Sequence, residues 1–202
     1  MSEAPANNFA NDIRANKILV AALISGVLVF SIIVAILNWR IGPAFVGEEA
    51  KYNNIFIYDL ASKNSSKITT DGKKNEVING ITDWVYEEEF AFVRAFDWSN
   101  DSKKIAYIRF DERQVPEFSM SVFEKELYPK TTTFKYPKAG EKNSVVSLHL
   151  YNVDSKTAKK VDLSQYNDFY IPRIEWTNDA NILSAKILNR HQDNLDLLFV
   201  DG

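Results

Sequence analysis

IYDLASK at residues 57–63 and LYNVDSK at residues 150–156 are one unit written twice, and how they are read decides the fold. Each closes a β-branched and aromatic run, Asn54 to Leu60 in the first copy and Val145 to Val153 in the second. Each is followed within a few residues by a lysine-led strand start, Lys67-Ile68-Thr69-Thr70 and Lys160-Val161-Asp162-Leu163. Runs of this composition, bounded by polar turn residues, predict strands joined as hairpins. A third copy begins at Leu198-Phe199-Val200-Asp201-Gly202. A second unit, WSNDSKKI at 98–105, recurs as WTNDANI at 176–182 and reads as a strand end, a tight polar turn and a new strand. From Lys104 to Phe110 the side chains alternate at period two.

The two units take turns along the chain, as the hairpins of four-stranded propeller blades do. The expected fold is therefore all-β, a partial β-propeller of about three four-stranded blades over residues 44–202. A plain β-sandwich would supply short strands but not ordered repeats. The spacing exceeds the roughly 40–45 residues usual for a blade. The excess falls in residues 111–143, which carry Pro116, Pro129, Pro137 and few clear strands, and it reads as an arm projecting from a blade. Closed propellers have roughly four to eight blades, so the chain reads as a fragment of one.

Ahead of this body, Ile18 to Leu37 reads ILVAALISGVLVFSIIVAIL, without a charge. At a rise of about 1.5 Å per residue, this length matches the ~30 Å hydrocarbon core of a bilayer. Trp39 and Arg40 follow, where interfacial residues belong, and no small-residue cleavage site ends the apolar stretch. The predicted organisation is a short cytoplasmic tail at 1–17, a single transmembrane helix at 18–39 and a globular part outside, periplasmic or extracellular.

Composition narrows the chemistry. A 202-residue chain that is 46% apolar and 13% aromatic is globular, and a net charge of -3 with scattered basic residues argues against nucleic acid as a partner. The absence of cysteine excludes disulfides, thiolate nucleophiles and cysteine zinc sites. The histidines, His149 and His191, stand apart and read as structural; neither a cofactor nor a metal is expected. No Gly-x-Ser-x-Gly elbow occurs, so no catalytic residue is assigned and the chain by itself is expected to be without peptidase activity.

The segment that stands out chemically is NGITDWVYEEEF at 79–90. Glu87, Glu88 and Glu89 crowd like charge between Tyr86 and Phe90, with Trp84, Val85 and Phe92 close by, so partial burial is expected. A partly buried anionic cluster calls for a cation, from the protein or from a ligand.

NGITDWVYEEEF, then WSNDSKKIAYIRFDE, VPEFSM, YPK and KYPKAG, resemble the propeller of the dipeptidyl peptidase IV family, the prolyl-oligopeptidase-type serine peptidases, with bacterial members the nearer match. The resemblance runs from about Ala44 to Gly202. It implies that Glu88 and Glu89 hold the α-ammonium of a peptide substrate, with Trp84, Tyr86 and Glu87 supporting the motif. Such a site acts as a ruler, so that X-Pro or X-Ala dipeptides are released by an α/β-hydrolase domain that this chain lacks. It also implies a dimerisation arm at about 116–136, carrying Phe118, Phe123, Tyr128 and Phe134. An arginine that the family draws from an earlier stretch of propeller has no counterpart here. The competing reading is a membrane-tethered binding or interaction module without catalysis.

Overall fold

The computed structural model describes residues 44–45, 53–60, 62–123 and 125–202. The predicted tail and membrane helix lie outside them; among the described residues no helix is long and apolar enough to cross a membrane.

The body is all-β with one short helix. Strands β1 (Ala44–Phe45), β2 (Phe56–Asp59) and β3 (Asn64–Lys67) form a first antiparallel sheet. The middle sheet contains β4 (Val77–Asn79), β5 (Phe96–Trp98), β6 (Lys104–Asp111), β9 (Val145–Asn152) and β10 (Thr157–Lys160), in the order β10-β9-β6 with β4 and β5 both on the far side of β6. A third sheet runs β11 (Phe169–Trp176), β12 (Ile182–Asn189), β13 (Leu195–Asp201). The arm is a hairpin of its own, β7 (Glu117–Val122) with β8 (Lys130–Lys135), and the helix α1 is Trp84–Phe90.

The repeats are structural repeats. In the first unit, Asp59 Oδ1 accepts from the Ser62 amide (2.6 Å) and Lys63 turns the chain at φ 56°. In the second, Asn152 Oδ1 accepts from the Ser155 amide (2.9 Å) and Lys156 turns it at φ 56°. The Trp units agree just as closely: Ser99 N donates to Lys104 O and Thr177 N to Ile182 O, both at 2.9 Å. Asp101 and Asp179 each cap the turn through a backbone amide two residues on.

These tight turns correct two strand positions. Pairing resumes at once, at Asn64 and Thr157, so β3 and β10 lie within the stretches expected to be loop, and the lysine-led runs begin where they end. All residues of β3 and β10 are exposed, which is why no apolar signal marked them. A second correction concerns the blades. Among the described residues only the middle sheet has four strand positions, because β4 and β5 share one; the outer two sheets have three strands each. A third is that the 111–143 insertion holds two full six-residue strands.

The middle sheet is buried on both faces. On β6, Ala106, Ile108 and Phe110 join Val146, Leu148, Leu183 and Ile187 in the main core against the third sheet. Ile105 and Tyr107 pack on the other side with Ile55, Phe96, Trp98 and Tyr151, towards the first sheet. Polar clamps tie the middle sheet to the third: Trp176 donates its amide to Asp97 Oδ2 (3.2 Å) and its indole N–H to Asp97 O (3.1 Å).

Candidate functional site

The edge strand of the middle sheet, formed by β4 and β5 in line along β6, is interrupted by the segment that carries the glutamates. Asn79 pairs with Arg109 and Phe96 with Tyr107 along the same side of β6. Between them Gly80 N donates to Ile108 O (3.0 Å), while Ile108 N donates to Ala95 O (2.8 Å). The ladder thus passes straight from Gly80 to Ala95, and residues 81–94 are extruded from it. Ala95 N to Gly80 O (2.9 Å) and Thr82 N to Val93 O (3.1 Å) close the neck. Gly80 sits there at φ 74°, and a Cβ would lie 2.7 Å from the Ile55 side chain, so only glycine fits.

Within the loop, Asp83 starts α1 as its N-cap, its carboxylate accepting from the Tyr86 amide (3.0 Å). Ala91, at φ 52°, ends the helix after two turns. Seven residues are too few to hold a helix by themselves, so tertiary contacts hold it. Tyr86 is the main one. Only 2% exposed, its ring meets Phe110 (4.8 Å), Phe90 (5.1 Å), Phe92 (5.9 Å) and Tyr170 (6.1 Å). Burial pushes its phenol well above the usual tyrosine range.

The hydroxyl of Tyr86 has a specific partner. The register of β11 on β12 shifts between Tyr170 and Arg173, around Pro172, which has no N–H to give the ladder. The Ile171 amide released there donates to Tyr86 Oη (2.8 Å). Beyond the irregularity, Arg173 donates to Phe90 O (2.8 Å) and lies over the Phe92 ring at 4.8 Å. A cation on the last carbonyls of a helix is favoured by the backbone dipoles.

The opposite face of α1 is held by the root of the arm. Ser144 donates its hydroxyl to Asp83 Oδ2 (2.5 Å), and Trp84 meets Tyr136 edge-on at 4.3 Å. Tyr136 in turn touches Phe118 (5.4 Å) and Phe134 (6.3 Å), paired across β7 and β8. Burial pushes the Asp83 carboxyl up despite the hydrogen bonds it accepts from Ser144 and from the backbone of Tyr86 and Val85. Glu112, at the end of β6, is buried too; desolvation first, then the charge of Asp83, pushes it up to about 7, with Lys135 opposing.

Tyr86 is packed among aromatic rings of the core, and Trp84 against Tyr136 at the root of the arm. Glu87, Glu88 and Glu89 do not share that burial: all are exposed, and among the described residues no cation pairs with them. The aromatic neighbours expected to enclose the run pack against the core and the arm instead, around a helix the sequence reading did not identify. On the arm, Phe118 and Phe134 are half-buried at the root, whereas Phe123 (68% exposed) and Tyr128 (78%) stand at the tip with Leu127 (85%). Asp83, Glu112, Tyr136, Ser144 and Arg173 were not singled out in the sequence. Only Asp83 carried a local signal, a helix-capping residue followed by Trp84-Val85-Tyr86. Among the described residues, no group of three or more His, Asp or Glu is placed to hold a metal ion.

The sequence and the fold have counterparts among known proteins. Residues 50–202 match the family described as the dipeptidyl peptidase IV (DPP IV) N-terminal region. The chain belongs to the dipeptidyl peptidase IV family. It is 36% identical over 164 residues to a probable dipeptidyl-aminopeptidase B of Coccidioides posadasii, covering 74% of this chain and 18% of the relative. It is 37% identical over 164 residues to the corresponding Talaromyces stipitatus protein, with the same coverage of 74% and 18%. A crystal structure of Porphyromonas gingivalis dipeptidyl peptidase 4 superposes with a TM-score of 0.72 at 48% identity, over 78% of this chain and 22% of that one. This DPP IV-family chain therefore spans about a fifth of the length of the relatives it matches.

Proposed function

We propose that this N-terminal-region chain is the propeller part of a dipeptidyl peptidase IV-like serine exopeptidase, and that Glu88 and Glu89 bind the α-ammonium of its peptide substrate. The observation that carries the reading is the division of labour on α1. Tyr86 and Val85 are buried, while the glutamates that follow are exposed, with no cation of the described residues paired with them. Two adjacent carboxylates on a rigidly seated turn can offer charge-assisted hydrogen bonds to a primary ammonium, which has three donors to satisfy. The relatives it matches are named as dipeptidyl-aminopeptidases, enzymes whose names imply action at a free amino end.

The peptide bond is cleaved, on this reading, by a Ser-His-Asp triad of an α/β-hydrolase domain, and fixing the ammonium sets the distance so that a dipeptide leaves. The exposed arm tip, with Phe123, Leu127 and Tyr128, is proposed to pair with a second copy of the chain, since clustered exposed aromatics mark interfaces. Residues 18–39 are proposed to anchor the protein in a membrane, with the propeller outside.

The test is kinetic. In the enzyme carrying this chain, Glu88→Gln and Glu89→Gln are each expected to lower kcat/KM for Ala-Pro-p-nitroanilide on the order of 100-fold, the loss of a charged hydrogen bond. Unchanged kcat/KM in both variants rejects the assignment.

A further inference from the structure

The helix that carries the glutamates is tied to the hairpin arm at two separate points, and both ties fall on its first turn. Asp83, the N-cap, accepts from Ser144, where the arm returns to β9. Trp84, the first helical residue, packs on Tyr136, just past the end of β8. Tyr136 is itself fixed by its contacts with Phe118 and Phe134 and by a backbone hydrogen bond from its amide to Pro116 O (3.0 Å), which closes the base of the hairpin. α1 is also tied to β11, by Tyr86 on another side of the same first turn and by Arg173 at its last residue, Phe90.

A two-turn helix has one degree of freedom that matters for an outward site, its rotation about its own axis. Tyr86 holds one side of the first turn; without Asp83 and Trp84 held on another side, that turn can still rotate about the Tyr86 contact. Glu88 and Glu89 stand one turn beyond Trp84, so a small rotation there moves both carboxylates together.

We infer that Tyr136 and Trp84 are positioning residues for the ammonium site: the root of the arm sets the direction in which Glu88 and Glu89 point. This rests on the ammonium-binding reading above. Neither ring touches the ligand. Their work is to hold the two carboxylates at a separation and angle that one ammonium can satisfy, a geometric demand that loosens by fractions of an ångström.

The experiment compares the dipeptide Ala-Pro with N-acetyl-Ala-Pro, by calorimetric titration of the intact protein that contains this chain. The acetylated dipeptide has no ammonium and reports everything except the site in question. Tyr136→Ala is expected to weaken Ala-Pro binding roughly three- to tenfold, the worth of one aromatic pair, and to leave N-acetyl-Ala-Pro binding unchanged. Tyr136→Phe keeps the ring and is expected to bind as the parent does. Trp84→Phe, which keeps a smaller ring, is expected to fall between. A Tyr136→Ala protein that binds both dipeptides as the parent does, or loses both alike, overturns the inference, because a merely structural role cannot discriminate between them. Glu88→Gln in the same titration separates the two claims. If it abolishes the preference for the free amine while Tyr136→Ala does not, the ammonium site stands and the positioning role falls. If neither changes the preference, both fall.

Discussion

Two segments are extruded from the middle sheet, and they are built in opposite ways. Residues 81–94 leave the edge strand, turn into a helix and fold back onto the core, so that Tyr86 is among the most buried side chains of the described residues. Residues 112–144 leave from the neighbouring strand as a two-stranded ribbon and stay out. Only the ribbon's root is packed; Phe123, Leu127 and Tyr128 at its tip are largely exposed. A two-stranded hairpin is marginal by itself, so its persistence depends on that root. The difference teaches where each kind of function sits. A site that must hold a ligand at fixed geometry is carried by the segment anchored on both sides, and a surface suited to a partner is carried by the one left projecting.

The sharpest way to break this contrast is to remove the anchor. Tyr86→Ala deletes the centre of the aromatic cluster and leaves the Ile171 amide without a partner, at an expected cost of about 4 kcal/mol in denaturant unfolding. Tyr86→Phe, which keeps the ring, should cost only about 1–2 kcal/mol. Equal losses in the two variants would show that the hydroxyl, and not the packing, seats the helix.

Next in size is a pH effect at the junction of the two segments. Glu112 has its pKa raised to about 7 in the fold, above the ordinary 4.5, so the proton-bearing form favours folding. That stability is fully present below about pH 4.5 and is lost as pH rises through about 7. Glu112→Gln should therefore be more stable than the parent at pH 8, by at most about 3 kcal/mol, with the gain fading towards pH 4. On the far face of the sheet His149 runs the other way. Burial, with Arg109 and Lys160, pushes it down to about 4, so its contribution is present above about 6.5 and lost as pH falls through about 4. Chemical unfolding at several pH values reads both; a Glu112→Gln gain that does not vary with pH would rule out the titration as its cause.

Ser144→Ala tests the second tie between the segments. It removes a hydrogen bond to the buried Asp83 carboxylate and is expected to cost about 1–2 kcal/mol at neutral pH. An unaltered melting midpoint would mean that the cap does not depend on the arm. Smallest of all should be the tip. Phe123→Ser and Tyr128→Ser are expected to change stability by less than about 0.5 kcal/mol while reducing self-association in sedimentation measurements. Destabilisation comparable to that of Tyr86→Ala would show the tip to be packed after all.

Much of this molecule is written locally. The paired units at 57–63 and 150–156, and at 98–105 and 176–182, determine their turns because an Asp, Asn or Ser bonds its own backbone within a few residues. That local chemistry, together with the short apolar strands, was enough for an all-β repeat fold; the family was legible through the resemblance of the NGITDWVYEEEF segment and the motifs that follow it. The exposed strands β3 and β10 escaped notice because nothing buries them, so no apolar pattern marks them. The Glu run was legible as a motif, but its exposure was not. How deeply each residue of the run is buried depends on how the helix that carries it sits on the sheets, and a seven-residue helix is too short to declare itself by propensity. Tertiary contacts made that decision. The hydrogen bond from Ile171 to Tyr86, the grip of Arg173 on Phe90 and the ties from Ser144 and Tyr136 all join residues between 52 and 85 positions apart. Order at that range follows from packing among whole sheets, and no window of the sequence contains it.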